Sequence, residues 1–123
     1  MNTINIASLL GGCDTLLRTF LLFIILDYVS GILQAIYNKK LNSEIGARGI
    51  VKKVGYILIV VLASSVDTLY GNNMDIRNVI IYMFIANEGI SILENCSQMG
   101  IKIPDILKSK IDEIGDEKNE QDK

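Results

Sequence analysis

LLRTFLLFIILDYVSGILQAIY, residues 16–37, is the stretch on which the architecture of this 123-residue chain turns. As a helix its 22 residues extend about 33 Å, enough to cross a hydrocarbon core of about 30 Å. Thirteen of them are Leu, Ile, Val or Phe, together worth roughly −4 to −8 kcal/mol on a membrane-insertion scale, against about +3 kcal/mol for an acid such as Asp27 near the centre. Insertion is therefore favoured despite Asp27.

Two further stretches follow. VGYILIVVLASSVDTLY, residues 54–70, has nine Leu, Ile or Val among its 17 residues and spans about 25 Å as a helix. RNVIIYMFIANEGISILEN, residues 77–95, is weaker: its eight strongly apolar residues, worth roughly −2.5 to −5 kcal/mol, are offset by Asn87, Glu88 and Glu94. A sum near zero implies that this helix needs polar partners from its own chain or from neighbours. Residues 71–75, GNNMD, read as a tight polar turn between antiparallel spans.

The segment before the second span, NKKLNSEIGARGIVKK at 38–53, carries Lys39, Lys40, Arg48, Lys52 and Lys53 against Glu44. Asn42 or Ser43 is suited to cap a helix lying along the interface before the chain turns into the membrane. These five basic residues are expected to fix topology, with contact to anionic lipid as a second role. Beyond Gly100, Pro104 opens a short helix with Ile103, Ile106, Leu107, Ile111 and Ile114 on one side. The following GDEKNEQDK is too polar to fold by itself. The expected fold is all-α and integral to a membrane. Three spans at about 16–37, 54–70 and 77–95 make a transmembrane domain over 1–100, and residues 101–123 form a cytoplasmic helix and charged tail.

Short loops rich in Lys and Arg stay in the cytoplasm, so the N-terminus is expected outside and the C-terminus inside. Tyr37 and Tyr56 then fall near the inner interface and Tyr70 near the outer one. Cys13 and Cys96 lie toward opposite faces and are not expected to pair. The first 17 residues hold no Lys or Arg, which argues against a cleaved signal peptide.

The composition also excludes function classes. There is no His, only two Cys, and a net charge of −2, which disfavours His-based metal sites, a catalytic triad and nucleic-acid binding. No Gly-rich phosphate loop occurs. No enzyme activity, cofactor or metal is expected.

Polar residues inside the spans fall into stripes. Asp27, Gly31, Gln34 and Asn38 follow one another at i, i+4, i+7 and i+11 on one helix face. Ser64 and Asp67 mark the second span, and Asn87, Glu88, Ser91, Glu94 and Asn95 the third. All are candidates for lining a pore or an oligomer interface. Packing contacts between helices, without any conducting path, explain the smaller residues equally well.

Three pieces of the chain, DYVSGILQAI at 27–36, LNSEIGARGIVKK at 41–53 and IANEGISILENCSQMGIKIPDILK at 85–108, resemble the phage-lysis and toxin-secretion holins of Gram-positive bacteria, including prophage and clostridial toxin-release members. The matching positions are Asp27, Gly31, Gly46, Gly49, Lys52, Lys53, Asn87, Glu88, Gly89, Glu94, Asn95, Gly100 and Pro104. The family has no agreed pore-lining set. The resemblance implies a protein that accumulates in the bacterial cytoplasmic membrane, multi-pass, and self-assembles into lesions. Its partners would be lipid and further copies of itself, with a functional link to an endolysin or an exported toxin. A small ion-channel or transporter subunit and an antiholin of the same family are the alternatives. So is a soluble all-α domain, because no uncharged run reaches about 18 residues.

Overall fold

The computed structural model describes residues 5–121, with side chains up to Asp116, and within them the chain is helical with no strand. Helix α1 covers Ile6–Leu9, α2 Thr15–Tyr37, α3 Ser43–Leu69, α4 Ile76–Gln98 and α5 Asp105–Gln121. The starts are set by side chains that accept the orphan N–H groups of a first turn. Asp14 accepts from Leu17 N at 2.9 Å and Asn42 from Ile45 N at 2.9 Å. The ends are set by left-handed residues: Lys39 after α2 and Gly100 after α4 let the chain fold back onto the last carbonyls.

Helices α2, α3 and α4 are each long and apolar enough to cross a membrane. Their inner faces repeat at helical spacing. Leu17 and Phe20 of α2, Val60 of α3, and Ile81, Phe84 and Ile85 of α4 form the buried core. Phe84 stacks on Phe20 at 5.7 Å and on Tyr56 at 4.4 Å, tying all three helices together. The outer faces are equally apolar: Leu22, Ile25, Leu26, Val29 and Leu33 form an uncovered row on α2, and Leu58 and Leu62 do so on α3. Such rows suit lipid and would be an aggregation hazard in water.

Two sequence expectations change. Helix α3 begins at Ser43 and runs unbroken to Leu69, so there is no separate interfacial helix that turns into the second span. The 43–53 segment has a face of its own to pack: Gly46 and Gly49 sit beneath the Tyr28 ring, within 3.3 to 3.5 Å of where a Cβ would stand. Tyr56 is half-buried and stacks on Phe84, while Tyr37 and Tyr70 are exposed. Helix α5 continues through residue 121, past the point where the polar tail was expected to unravel. Glu, Lys and Gln propagate a helix well once it is formed, and Ile111 packs this one against α4.

Helix α4 is the hub, packing against α2, α3 and α5. Along α3 the 14 residues from Lys53 to Asp67 place about 21 Å of bundle between two polar clusters. The layer between them is the apolar core.

Candidate functional site

The first cluster lies at the centre of the bundle. Asp27 and Glu88 each occupy the thirteenth position of a 23-residue helix, α2 and α4. Lys53 reaches both from α3, its Nζ 2.7 Å from Asp27 Oδ2 and 3.0 Å from Glu88 Oε2. All three side chains are largely withdrawn from the surface, at 11 %, 4 % and 12 % exposure for Asp27, Glu88 and Lys53. Lys52, one residue earlier, points outward, with its ammonium 5.9 Å from the centroid of the Tyr56 ring. One step of 100° along a helix separates a surface lysine from a buried one.

The remaining lone pairs of Asp27 are also satisfied. Ser91 Oγ donates to Asp27 Oδ1 at 2.6 Å and Asn95 Nδ2 donates to the same oxygen at 3.2 Å. Asn95 also donates to Ser30 Oγ at 2.9 Å. Among the described residues, no buried side-chain polar atom lacks a partner. In hydrocarbon an unpaired charge or donor is costly, and the junction lowers that cost within one chain by giving both acids the same cation.

Toward one end of the bundle the stripe continues as side-chain amides. Asn38 Nδ2 donates to Gln34 Oε1 at 3.0 Å and lies 3.4 Å from the Gln98 carbonyl. Gly31 leaves room for Asn95, whose Nδ2 would be 3.6 Å from a Cβ there. The α2 stripe thus meets the Ser91–Asn95 side of α4 directly.

The second cluster closes the other end. Arg77, 6 % exposed, donates from Nε to the Leu10 carbonyl at 2.9 Å, from Nη2 to the Gly12 carbonyl at 2.9 Å, and from Nη1 to Asp14 Oδ2 at 2.7 Å. Asp67 accepts from the backbone N–H groups of Ile76 and Arg77, both at 2.9 Å. It therefore caps α4 from the end of α3, and Asp75, the residue in the capping position, makes no such bond. Ser64 packs beside Gly11, whose φ of +87° places a tight turn there. The guanidinium holds the Asp14 carboxyl below its ordinary range. Its hydrogen bond is the main cause, opposed by partial burial and helped by the Leu17 N–H.

The sequence-predicted residues therefore divide. Asp27, Gly31, Gln34, Asn38, Glu88, Ser91 and Asn95 meet between α2 and α4, whereas Ser64 and Asp67 belong to the Arg77 end. Asn87 and Glu94 stand on the exposed side of α4, away from the junction. Lys39, Lys40, Arg48 and Lys52 are exposed, but Lys53 is not: its ammonium is taken into the junction. Arg77 and Asp14 are not among the residues the sequence pattern singles out. The signals available were a Gly11–Gly12 turn and an Asp at a helix start. Cys13 and Cys96 are free thiols. No group of His, Cys, Asp and Glu among the described residues is arranged to hold a metal ion.

Comparison with known proteins gives this arrangement a context. Residues 4–116 match the bacteriophage holin family. A probable holin of Bacillus phage phi105 is 35% identical over 101 residues, 80% of this chain and 75% of the phage protein. An uncharacterised 14.9 kDa protein in the nagH 3′ region of Clostridium perfringens is 46% identical over 110 residues, 88% of this chain and 83% of its own. The uncharacterised protein Lin0175 of Listeria innocua is 39% identical over 119 residues, 94% and 85% of the two chains. No solved structure matches the chain. With nearly its whole length inside the family pattern and three helices able to cross a bilayer, this chain is a multi-pass protein of the bacterial cytoplasmic membrane and belongs to the bacteriophage holin family.

Proposed function

We propose that the chain homo-oligomerises in the cytoplasmic membrane into lesions through which an endolysin, or in a toxin-linked setting a large protein toxin, leaves the cell. It acts without catalysis and with no cofactor, with the N-terminus outside and the C-terminus inside. The observation that carries this reading is the Asp27–Lys53–Glu88 junction. An acid near the centre of a span would oppose insertion, but here each acid meets the same lysine inside its own chain. A monomer whose intramembrane acids are partnered in this way can accumulate in lipid without opening a path for ions. The uncovered apolar rows on α2 and α3 are then shared between lipid and neighbouring copies. As the protein crowds, contacts between copies replace contacts with lipid, and the change to a lesion becomes abrupt because it depends on many copies at once.

The test is induced expression in a bacterium with and without a co-expressed cytoplasmic cell-wall hydrolase, following turbidity and release of a cytoplasmic enzyme. Sudden lysis that requires the hydrolase, after a quiet interval, is the expected result. Loss of membrane potential without hydrolase-dependent lysis would instead identify a small-ion channel. No effect on either would point to an antiholin or an inert membrane partner.

A further inference from the structure

Helix α5 folds back along α4 and is seated at its middle. Gly89 follows Glu88 at the centre of α4, and Ile111 fills the space a side chain there would need. Its Cγ2 and Cδ1 lie 2.9 and 3.0 Å from where a Cβ would stand. One turn further along α5, Gly115 faces Ala86, with 3.5 Å between the Ala86 Cβ and a Cβ built at 115. A glycine on each helix permits this close approach, and Ile111 is left 7 % exposed. Ile114 continues the contact beside Tyr82 and Ile85 of α4 and Leu16 of α2.

The opposite side of α5 is charged. Lys108, Lys110, Asp112, Glu113 and Asp116 are all exposed, with a surface ion pair between Lys110 and Glu113 at 3.3 Å. On α4, Asn87 and Glu94 are also uncovered. The bundle therefore presents charges at the same depth as the Asp27–Lys53–Glu88 junction, but facing outward and without buried partners. Each would carry the mid-membrane penalty if it met hydrocarbon. Lipid cannot cover this surface, and a membrane interior offers water only where copies enclose it.

Resting on the holin reading above, we propose that seated α5 is part of the wall of the water-filled lesion, with Lys108, Lys110, Asp112, Glu113 and Asp116 facing the lumen. In an isolated inserted chain α5 leaves Gly89 and lies at the inner headgroup boundary, its apolar side on lipid and the C-terminus inside, whereas seating lays the end of α5 toward the outer end of α4. The Asp27–Lys53–Glu88 junction stays inside each bundle in both states. Water is lined by the tail helix rather than by the acids of the spans.

The test uses the full chain carrying Cys13→Ser and Cys96→Ser, with Ala86→Cys and Gly115→Cys added, reconstituted over a range of protein-to-lipid ratios. The vesicles are of phosphatidylethanolamine and phosphatidylglycerol and are loaded with fluorescent dextran. The facing Cβ positions suit a disulfide. The 86–115 crosslink is expected to be scarce at densities that release no dextran and to rise together with release, and the oxidised, tethered protein is expected to release at least as much as the reduced one. Gly89→Val, which fills the seat of Ile111, should raise the density needed for release about tenfold, the scale of losing one buried aliphatic contact. Lys110→Leu with Glu113→Leu keeps the seat, removes charge from the lumen face, and should lower release by a similar factor. Crosslinking that is equally complete at low density, or a tether that blocks release, would overturn the lumen assignment while leaving the holin reading intact. Absence of dextran release from the unmodified chain at every density would overturn both.

Discussion

The Asp27–Lys53–Glu88 junction and the Arg77 cluster each bury a cation, the first among side chains from three helices, the second largely against backbone carbonyls at the bundle end. Lys53 answers two carboxylates at the centre of α2 and α4, far from either end of those helices. Arg77 answers the carbonyls of Leu10 and Gly12 and a carboxylate, Asp14, that is itself 51 % exposed. Removing the cation therefore has different consequences. At the centre the stranded groups have no water to turn to, whereas at the end they do.

The largest effect is expected from Lys53→Met. It leaves Asp27 and Glu88 facing each other without a counter-charge, and breaking one side of a buried ion pair costs about 3–5 kcal/mol. Thermal unfolding in detergent micelles should show a sharply lowered midpoint, and membranes should hold much less of the protein. Adding Asp27→Asn and Glu88→Gln to Lys53→Met should recover most of the loss, because no charge is then unpaired. A Lys53→Met protein as stable as wild type would remove the distinction between the two clusters.

Arg77→Met comes next, at roughly 1–3 kcal/mol, the scale of polar groups left unsatisfied near a surface. The damage should be local. Leu10 loses its tether, so amide exchange should quicken over residues 6–14 while the centres of α2 and α4 stay protected. Equal loss of protection at Phe84 and Asp27 would mean that the end cluster, too, holds the whole bundle.

The same comparison shows what could be read from the sequence. The three spans were legible because 16–37, 54–70 and 77–95 are apolar runs of membrane length, and the polar stripe of α2 was legible because its period is that of a helix. The start of α3 was not, because hydropathy takes Lys52 and Lys53 as the edge of a span, and only the placement of α2 and α4 shows that one of them turns inward. The weakness of the third span did carry information: its need for polar partners is met by Asp27 and Lys53. Arg77 could not be placed from the sequence because its acceptors include backbone carbonyls of the first segment, and the Gly11–Gly12 turn that presents them does not by itself name its partner. The use of Gly89 and Gly115 could not be read from the sequence, since it depends on α5 returning along α4.

The smallest effect is in the pH response of the end cluster. Arg77 holds the folded-state pKa of Asp14 below its ordinary value of 3.8, so the unfolded chain binds that proton more readily than the folded one. The stabilisation from this carboxylate is fully present above pH 3.8 and is lost as pH falls through the lower folded value. Because Asp14 is half exposed, solvent screens it, and the contribution is under roughly 1 kcal/mol. The difference in melting temperature between wild type and Asp14→Asn should therefore be constant from about pH 6 to about pH 4.5 and should narrow at lower pH. Repeating the pair in an Arg77→Met background should remove most of that narrowing, since the guanidinium is its main cause. If the narrowing survives intact without Arg77, the helix-cap bond to Leu17 holds the carboxylate by itself, and the cluster reduces to an ordinary N-cap beside an independent arginine.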